Sequence, residues 1–94
     1  MYNAEQKIKF IKEEAKSVLS ATSLEYMFER CEKYEMAWGK DVCFASQDEL
    51  LSVINEISGY RTTSTAIGKK NLGRYIQWCA RNGICSDRSS LLKE

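Results

Sequence analysis

The chain contains no histidine and no proline, and its four cysteines form no CxxC pair. Each absence excludes something. Without histidine or paired cysteines, the usual ligand sets for a structural zinc are missing, so no metal or cofactor is expected. Histidine is also the commonest general base near neutral pH, and no GxGxxG, P-loop or GxSxG pattern stands in for it. The carboxylates fall on faces read as solvated, with nothing to perturb them, so the residues carry no catalytic set. Without proline nothing forces a long helix to break. No apolar run approaches the roughly 20 residues of a membrane span, and no signal peptide opens the chain, which places it by default in the cytoplasm with no membrane partner. The cysteines are accordingly expected to be reduced and unpaired, with Cys79 buried.

What remains is enough for one domain. Ninety-four residues with 44% apolar content close one core and not two. Net charge is +1, but its parts are sorted along the chain. Residues 1–20 carry four bases against three acids, residues 21–57 three against eight, and residues 58–94 seven against two. Between Gly59 and Gly83 there are five bases and no acid. A neutral protein sorted in this way presents a basic end to an anionic partner.

Periodicity predicts four helices. The first runs from Ala4 to Ser20, capped by Asn3 with Gln6 reciprocating, and carries the apolar stripe Ile8, Ile11, Ala15, Val18 and Leu19. The second opens on the T-x-x-E box Thr22–Glu25, buries Leu24, Met27, Phe28, Cys31, Tyr34 and Trp38, and stops at Gly39; Glu25, Glu29 and Glu32 line its solvated side. The third begins at the Ser46–Glu49 box, buries Leu50, Val53, Ile54 and Ile57, and ends at Ser58-Gly59. The fourth follows the cap cluster Thr62 to Thr65 and closes at Asn82-Gly83. Its apolar half holds Ile67, Leu72, Tyr75, Ile76, Trp78 and Cys79. Opposite them Lys70, Arg74, Gln77 and Arg81 form a basic stripe flanked by Lys69. Trp38, Leu50, Ile54, Ile57, Ile67, Tyr75, Ile76 and Cys79 are the expected core. Ser86 to Glu94 begins a linker or short fifth helix, and its abrupt stop reads as that of a piece of a longer chain.

The segment Tyr60–Ile84, YRTTSTAIGKKNLGRYIQWCARNGI, resembles the last long helix of the core-binding, SAM-like domain of phage integrases and other tyrosine recombinases. The matching features are a Ser/Thr-rich lead (Thr63 to Thr65), Ile67 before Lys69 and Lys70, then Leu72, Tyr75, Trp78 and a closing Gly83-Ile84. Upstream, KYEMAWGKDVCFASQDELLSVI is similar to that family's second helix, a Gly-Lys-Asp turn, a strand-like bridge and a third helix. The likeness covers about residues 22–85. It implies an all-α bundle of four to five helices across one domain, 1–94, with residues 1–21 as an added N-terminal helix. It implies a duplex-DNA partner, with a C-terminal catalytic domain or other protomers beside it, in a bacterial or phage-encoded protein. The residues so implicated are Thr63, Ser64 and Thr65 on phosphate and Lys69, Lys70 and Arg74 on phosphate or base edges; Arg61, Gln77 and Arg81 in the same acid-free stretch complete the candidate DNA contacts. Two features depart from the pattern. Gly68 and Gly73 interrupt the helix, and the Arg/Lys/His/Tyr catalytic set is missing. Phage repressors built on the recombinase plan, which bind operators without cutting, are also similar. A helical protein-interaction module whose basic face meets an acidic partner is the reading from a different class.

Overall fold

The computed structural model describes the backbone of residues 1–58 and 62–87, and the side chains of these residues except 57, 58 and 62–66. Four helices, α1 (Ala4–Glu14), α2 (Val18–Trp38), α3 (Gln47–Ser58) and α4 (Thr62–Arg81), pack with a short 3-10 turn, Val42–Phe44, between α2 and α3. No strand occurs among the described residues. The all-α class is therefore as expected, while the segment read as strand-like is the 3-10 turn. Asp41 starts that turn by accepting the Cys43 amide at 2.9 Å.

Three helix ends follow local chemistry. Ser46 and Glu49 bond reciprocally, Ser46 N–H to Glu49 Oε1 at 2.8 Å and Glu49 N–H to Ser46 Oγ at 3.3 Å, completing the capping box of α3. Gly39 and Gly83 end α2 and α4 at φ values of 71° and 70°, the left-handed region that glycine adopts without a Cβ clash.

The N-terminal half differs from the pattern reading. The helix expected from Ala4 to Ser20 stops at Glu14. A new helix starts at Val18, capped by Ser17, whose hydroxyl accepts the Ser20 amide at 3.1 Å. Thr22 is thus inside α2 and donates its hydroxyl back to the Val18 carbonyl instead of capping. Nothing in Ala15-Lys16-Ser17 is a helix breaker. The break is imposed by tertiary packing, which folds α1 back over α2 and α4. Asn3 likewise does not cap α1. It sits at φ 52° and donates its amide to Asp41 at 3.0 Å, while Gln6 reaches the Tyr75 hydroxyl at 2.7 Å.

The buried face of α1 is Lys7, Phe10 and Ile11; of the expected stripe Ile11 is buried and Ala15 packs partly against the core. Ile8, Val18 and Leu19 are exposed, the last two by 83% and 81%. Phe10 instead stands at the centre of an aromatic cluster, edge-on to Phe28, Tyr75 and Trp78 with centroids 5.1–5.9 Å apart. Leu24, Met27, Phe28, Cys31, Leu50, Val53, Ile54, Leu72, Tyr75, Ile76, Trp78 and Cys79 are buried as the spacing predicts, with Tyr34 and Trp38 packed partly against them. Ile57 lies outside the described side chains. Val42, Cys43 and Ala45 join the core from the 3-10 turn region. Cys31, Cys43, Cys79 and Cys85 are free thiols, and only Cys85 is partly exposed.

Ile67 is the one expected core residue of α4 that the fold leaves outside, 57% exposed. At about 100° per residue it lies at the rim, between Arg74 and Arg81 on one side and Trp78, which is buried against the end of α1, on the other. Ile67→Ser is therefore expected to change stability by no more than about 0.5 kcal/mol. Leu72→Ala should lose about 2–5 kcal/mol by opening a cavity. Urea denaturation of the two variants checks this, and equal losses would show that α4 is rotated from the orientation described.

Candidate nucleic-acid interface

On the outer face of α4, Lys70, Gln77 and Arg81 are exposed, and Arg74 and Lys69 are half-buried. The predicted stripe does share one face, but its members differ in what they already hold. Arg74 donates to the Glu14 main-chain carbonyl at 2.9 Å. That carbonyl belongs to the last turn of α1, where carbonyls lack helical partners and the dipole end is negative, so a guanidinium is favoured there. Arg81 pairs with the Glu14 carboxylate at 2.7 Å, and the Trp78 indole N–H donates to Glu13 at 3.0 Å. Two adjacent glutamates at the end of α1 thus clasp the C-terminal half of the stripe. Lys70, a turn before Arg74, forms no ion pair with a described residue and extends into solvent.

Beside Lys70 an open groove runs between α2 and α4, lined by Thr22, Ser23, Tyr26, Met27, Ile67, Gly68 and Asn71. Its walls offer hydroxyl, amide and apolar groups. Thr63, Ser64 and Thr65 fall in the first turn of α4, one step inside the helix where the sequence reading had them precede it, and their side chains lie outside the described residues. Arg61 also lies outside them. Of the acids of α2 read as solvated, Glu25 and Glu29 are exposed and Glu32 is half-buried and holds the chain's amino terminus, whereas Glu35 is fully buried, against the expectation that nothing perturbs the carboxylates.

Below this face is a polar centre the sequence reading missed. Lys7 is fully buried, and its ammonium donates to Glu35 at 2.6 Å, Asp41 at 2.9 Å and the Tyr2 carbonyl at 2.6 Å. The Tyr75 hydroxyl meets both Asp41 oxygens at 3.0 Å, and the Val42 amide donates to Glu35 at 2.8 Å. Burial pushes the Glu35 carboxyl up, and Lys7 only partly counters it. For Asp41, burial is outweighed by the Lys7 charge and by hydrogen bonds from Cys43 and Asn3, which hold the carboxyl below its ordinary value. Burial, then the Asp41 charge, drives the Tyr75 phenol far up, so it stays a neutral donor. This centre joins α1, α2, the 3-10 turn and α4, and so fixes the face of α4 relative to the end of α1. One signal for it was available: Glu35 lies four residues after Cys31 and seven after Phe28, a charge set squarely within the buried stripe of α2.

Among the described residues no group of three His, Cys, Asp or Glu side chains converges to hold a metal, and no helix is long and apolar enough to cross a membrane. Residues 1–81 match the family described as MrpR, N-terminal core-binding domain. The chain belongs to this family. No curated protein and no solved structure matches the chain.

Proposed function

We propose that this core-binding domain binds duplex DNA without cutting it, as the DNA-clamping part of a phage-type tyrosine recombinase or of a repressor built on the same plan. The observation that carries the reading is the face of α4: a 25-residue stretch without an acid, from Gly59 to Gly83, whose Lys70 extends into solvent beside a groove offering Thr22, Ser23 and Asn71. Lysine on phosphate, with hydroxyl and amide donors alongside, is the ordinary chemistry of backbone contact. Thr63, Ser64 and Thr65, at the start of the same helix, are proposed to add phosphate contacts where the helix dipole favours an anion. Arg61 and Lys69 are proposed to flank them, and Gln77 to extend the contact along the outer face of α4. Arg74 and Arg81 are assigned a second part: they tie α1 to α4 and present their remaining donors at the edge of the interface. The missing Arg/Lys/His/Tyr set is why binding and not strand cleavage is proposed for these residues.

The test is an anisotropy titration on a mixed-sequence duplex of about 25 base pairs, long enough to offer both grooves, at two salt concentrations. Binding is expected in the range of about 10⁻⁴–10⁻⁶ M typical of non-specific contacts. Lys70→Ala should weaken it and reduce the slope of log K against log salt by about one if a single phosphate is released. Glu29→Ala, on the acidic side of α2, should leave it unchanged or slightly tighter. Binding without salt dependence, or identical behaviour of the two variants, would favour instead a basic face that docks on an acidic protein.

A further inference from the structure

The break between α1 and α2 leaves a feature the closed fold does not use. On a single uninterrupted helix, Ile8, Ala15, Leu19 and Tyr26 would fall within about 20° of one line. In the structure Ile8, Leu19 and Tyr26 are 44%, 81% and 51% exposed, and Val18 beside them is 83% exposed. Apart from Ala15, which packs partly against the core, this line is not the core face of either helix. The helix α1 buries Lys7, Phe10 and Ile11, and α2 buries Leu24, Met27, Phe28, Cys31 and Glu35. The three residues that interrupt it, Ala15-Lys16-Ser17, contain no glycine or proline, and alanine and lysine are good helix formers. The sequence therefore encodes an apolar seam along a helix that the closed monomer bends in the middle.

We infer that two copies of this chain exchange α1. In the exchanged dimer residues 15–17 become helical, α1 and α2 merge into one long helix, and each α1 docks on its partner's α2 and α4. The docking contacts are those of the monomer: Lys7 to Glu35 and Asp41, Gln6 to Tyr75, and Glu13 and Glu14 to Trp78 and Arg81. Beyond the Ser17 cap of α2 little is lost in the exchange, because the bonds of α1 to the rest of the fold re-form between chains, which is why swapping through a short hinge is a low-cost route to a dimer. What is gained lies at the hinge. The amides of Val18 and Leu19, at the start of α2 where helical partners are lacking, acquire the carbonyls of Glu14 and Ala15. The two long helices cross near Ala15, so that Leu19 and Val18 of each copy cover the Ile8 side of the other. The occupant of the exposed seam is thus a second copy of this chain, and the seam's length, continuous only when the hinge is straight, is what selects it.

The experiment is light scattering after size exclusion on the full chain, from micromolar to millimolar, with hydrogen exchange measured on each fraction. A species of twice the 10.8 kDa chain mass is expected to grow with concentration and to revert slowly on dilution. In that species alone, the amides of residues 17–19 should be protected. Lys16→Pro is expected to remain monomeric and folded. Ala15 already has φ −73° and ψ 129°, the extended conformation favoured before proline, whereas a straight helix would carry an interior proline in each chain. Its dimerisation should need roughly a hundredfold higher concentration or more. Leu19→Ser should weaken the dimer without changing the monomer. A chain that stays monomeric throughout, a dimer with unprotected hinge amides, or a Lys16→Pro variant that dimerises like the wild type would each overturn the exchange. The last two would indicate contact between closed monomers instead.

Discussion

Replacing Lys7 with methionine is expected to cost about 3–5 kcal/mol at neutral pH, because it leaves two carboxylates buried with no countercharge. The side chain is similar in length and unbranched, so loss of packing is a small part of the effect. In the wild type the ammonium lies between Glu35 and Asp41, at 2.6 and 2.9 Å, fully shielded from water. Set against the roughly 5–15 kcal/mol that stabilises a domain, such a loss is a large share of the total. The loss should also shrink in acid. Burial already raises the Glu35 carboxyl above its ordinary 4.5, and without Lys7 nothing but the Val42 amide offsets that rise. A group whose folded pKa is raised favours the folded state below its unfolded value, and that advantage fades as pH climbs through the folded value. Lowering the pH from neutrality toward about 4.5 therefore neutralises Glu35 and removes much of the repulsion. Urea denaturation of wild type and Lys7→Met near neutrality and at about pH 5 checks both statements. A variant as stable as the wild type, or a deficit that widens in acid, would show that Lys7 is not the countercharge.

How much of this could be read from sequence differs by element. The Ser46–Glu49 box and the glycines after α2 and α4 act through bonds spanning only a few residues, so their local patterns decide them. The apolar half of α4 was legible for a similar reason, since Leu72, Tyr75, Ile76 and Cys79 lie centrally on their face. Ile67 was not. It is apolar but sits at the rim, and only the position of the neighbouring helix determines whether a rim residue is covered. The largest misreading, the helix through Ser20, has the same origin. Nothing local breaks Ala15-Lys16-Ser17, and the chain bends there because Phe10 and Lys7 gain more by folding back onto Phe28, Tyr75 and Asp41. A lysine at the centre of a core contradicts composition-based expectation, and only its two acidic partners, 28 and 34 residues away, account for it. The basic stripe itself was visible, but Glu14, which holds both Arg74 and Arg81, was not. For the proposed interface this moves the emphasis from the middle of α4 toward Lys70.

The two carboxylates around Lys7 are not equivalent, and neutralising each in turn should separate them widely. Asp41 accepts from the Lys7 ammonium, the Asn3 amide, the Cys43 main-chain N–H and the Tyr75 hydroxyl, which engages both its oxygens. An asparagine has one acceptor oxygen, and its NH2 would face a donor whichever way it turned. Asp41→Asn is expected to lose about 3–5 kcal/mol at neutral pH. Glu35 is different. Its Oε2 takes both hydrogen bonds, from Lys7 and Val42, while Oε1 is buried with no partner among the described residues. A glutamine keeps the two bonds through its carbonyl and places its NH2 where no bond existed. The unsatisfied amide costs about 1–3 kcal/mol, and removing the excess negative charge offsets most of it. Glu35→Gln should therefore fall within about 1 kcal/mol of the wild type. The pH dependences should run in opposite directions. Because the Asp41 carboxyl is held below its ordinary 3.8, its contribution is present above that value and is lost as pH falls below it, so the Asp41→Asn deficit closes in acid. Because the Glu35 carboxyl is raised above 4.5, ionising it works against the fold, so Glu35→Gln gains on the wild type as pH rises. Denaturant titrations of the three proteins across the acid-to-neutral range measure all of this. Equal losses from the two substitutions, or a Glu35→Gln deficit that grows toward neutrality, would mean that the negative charge paired with Lys7 resides on Glu35 and not on Asp41.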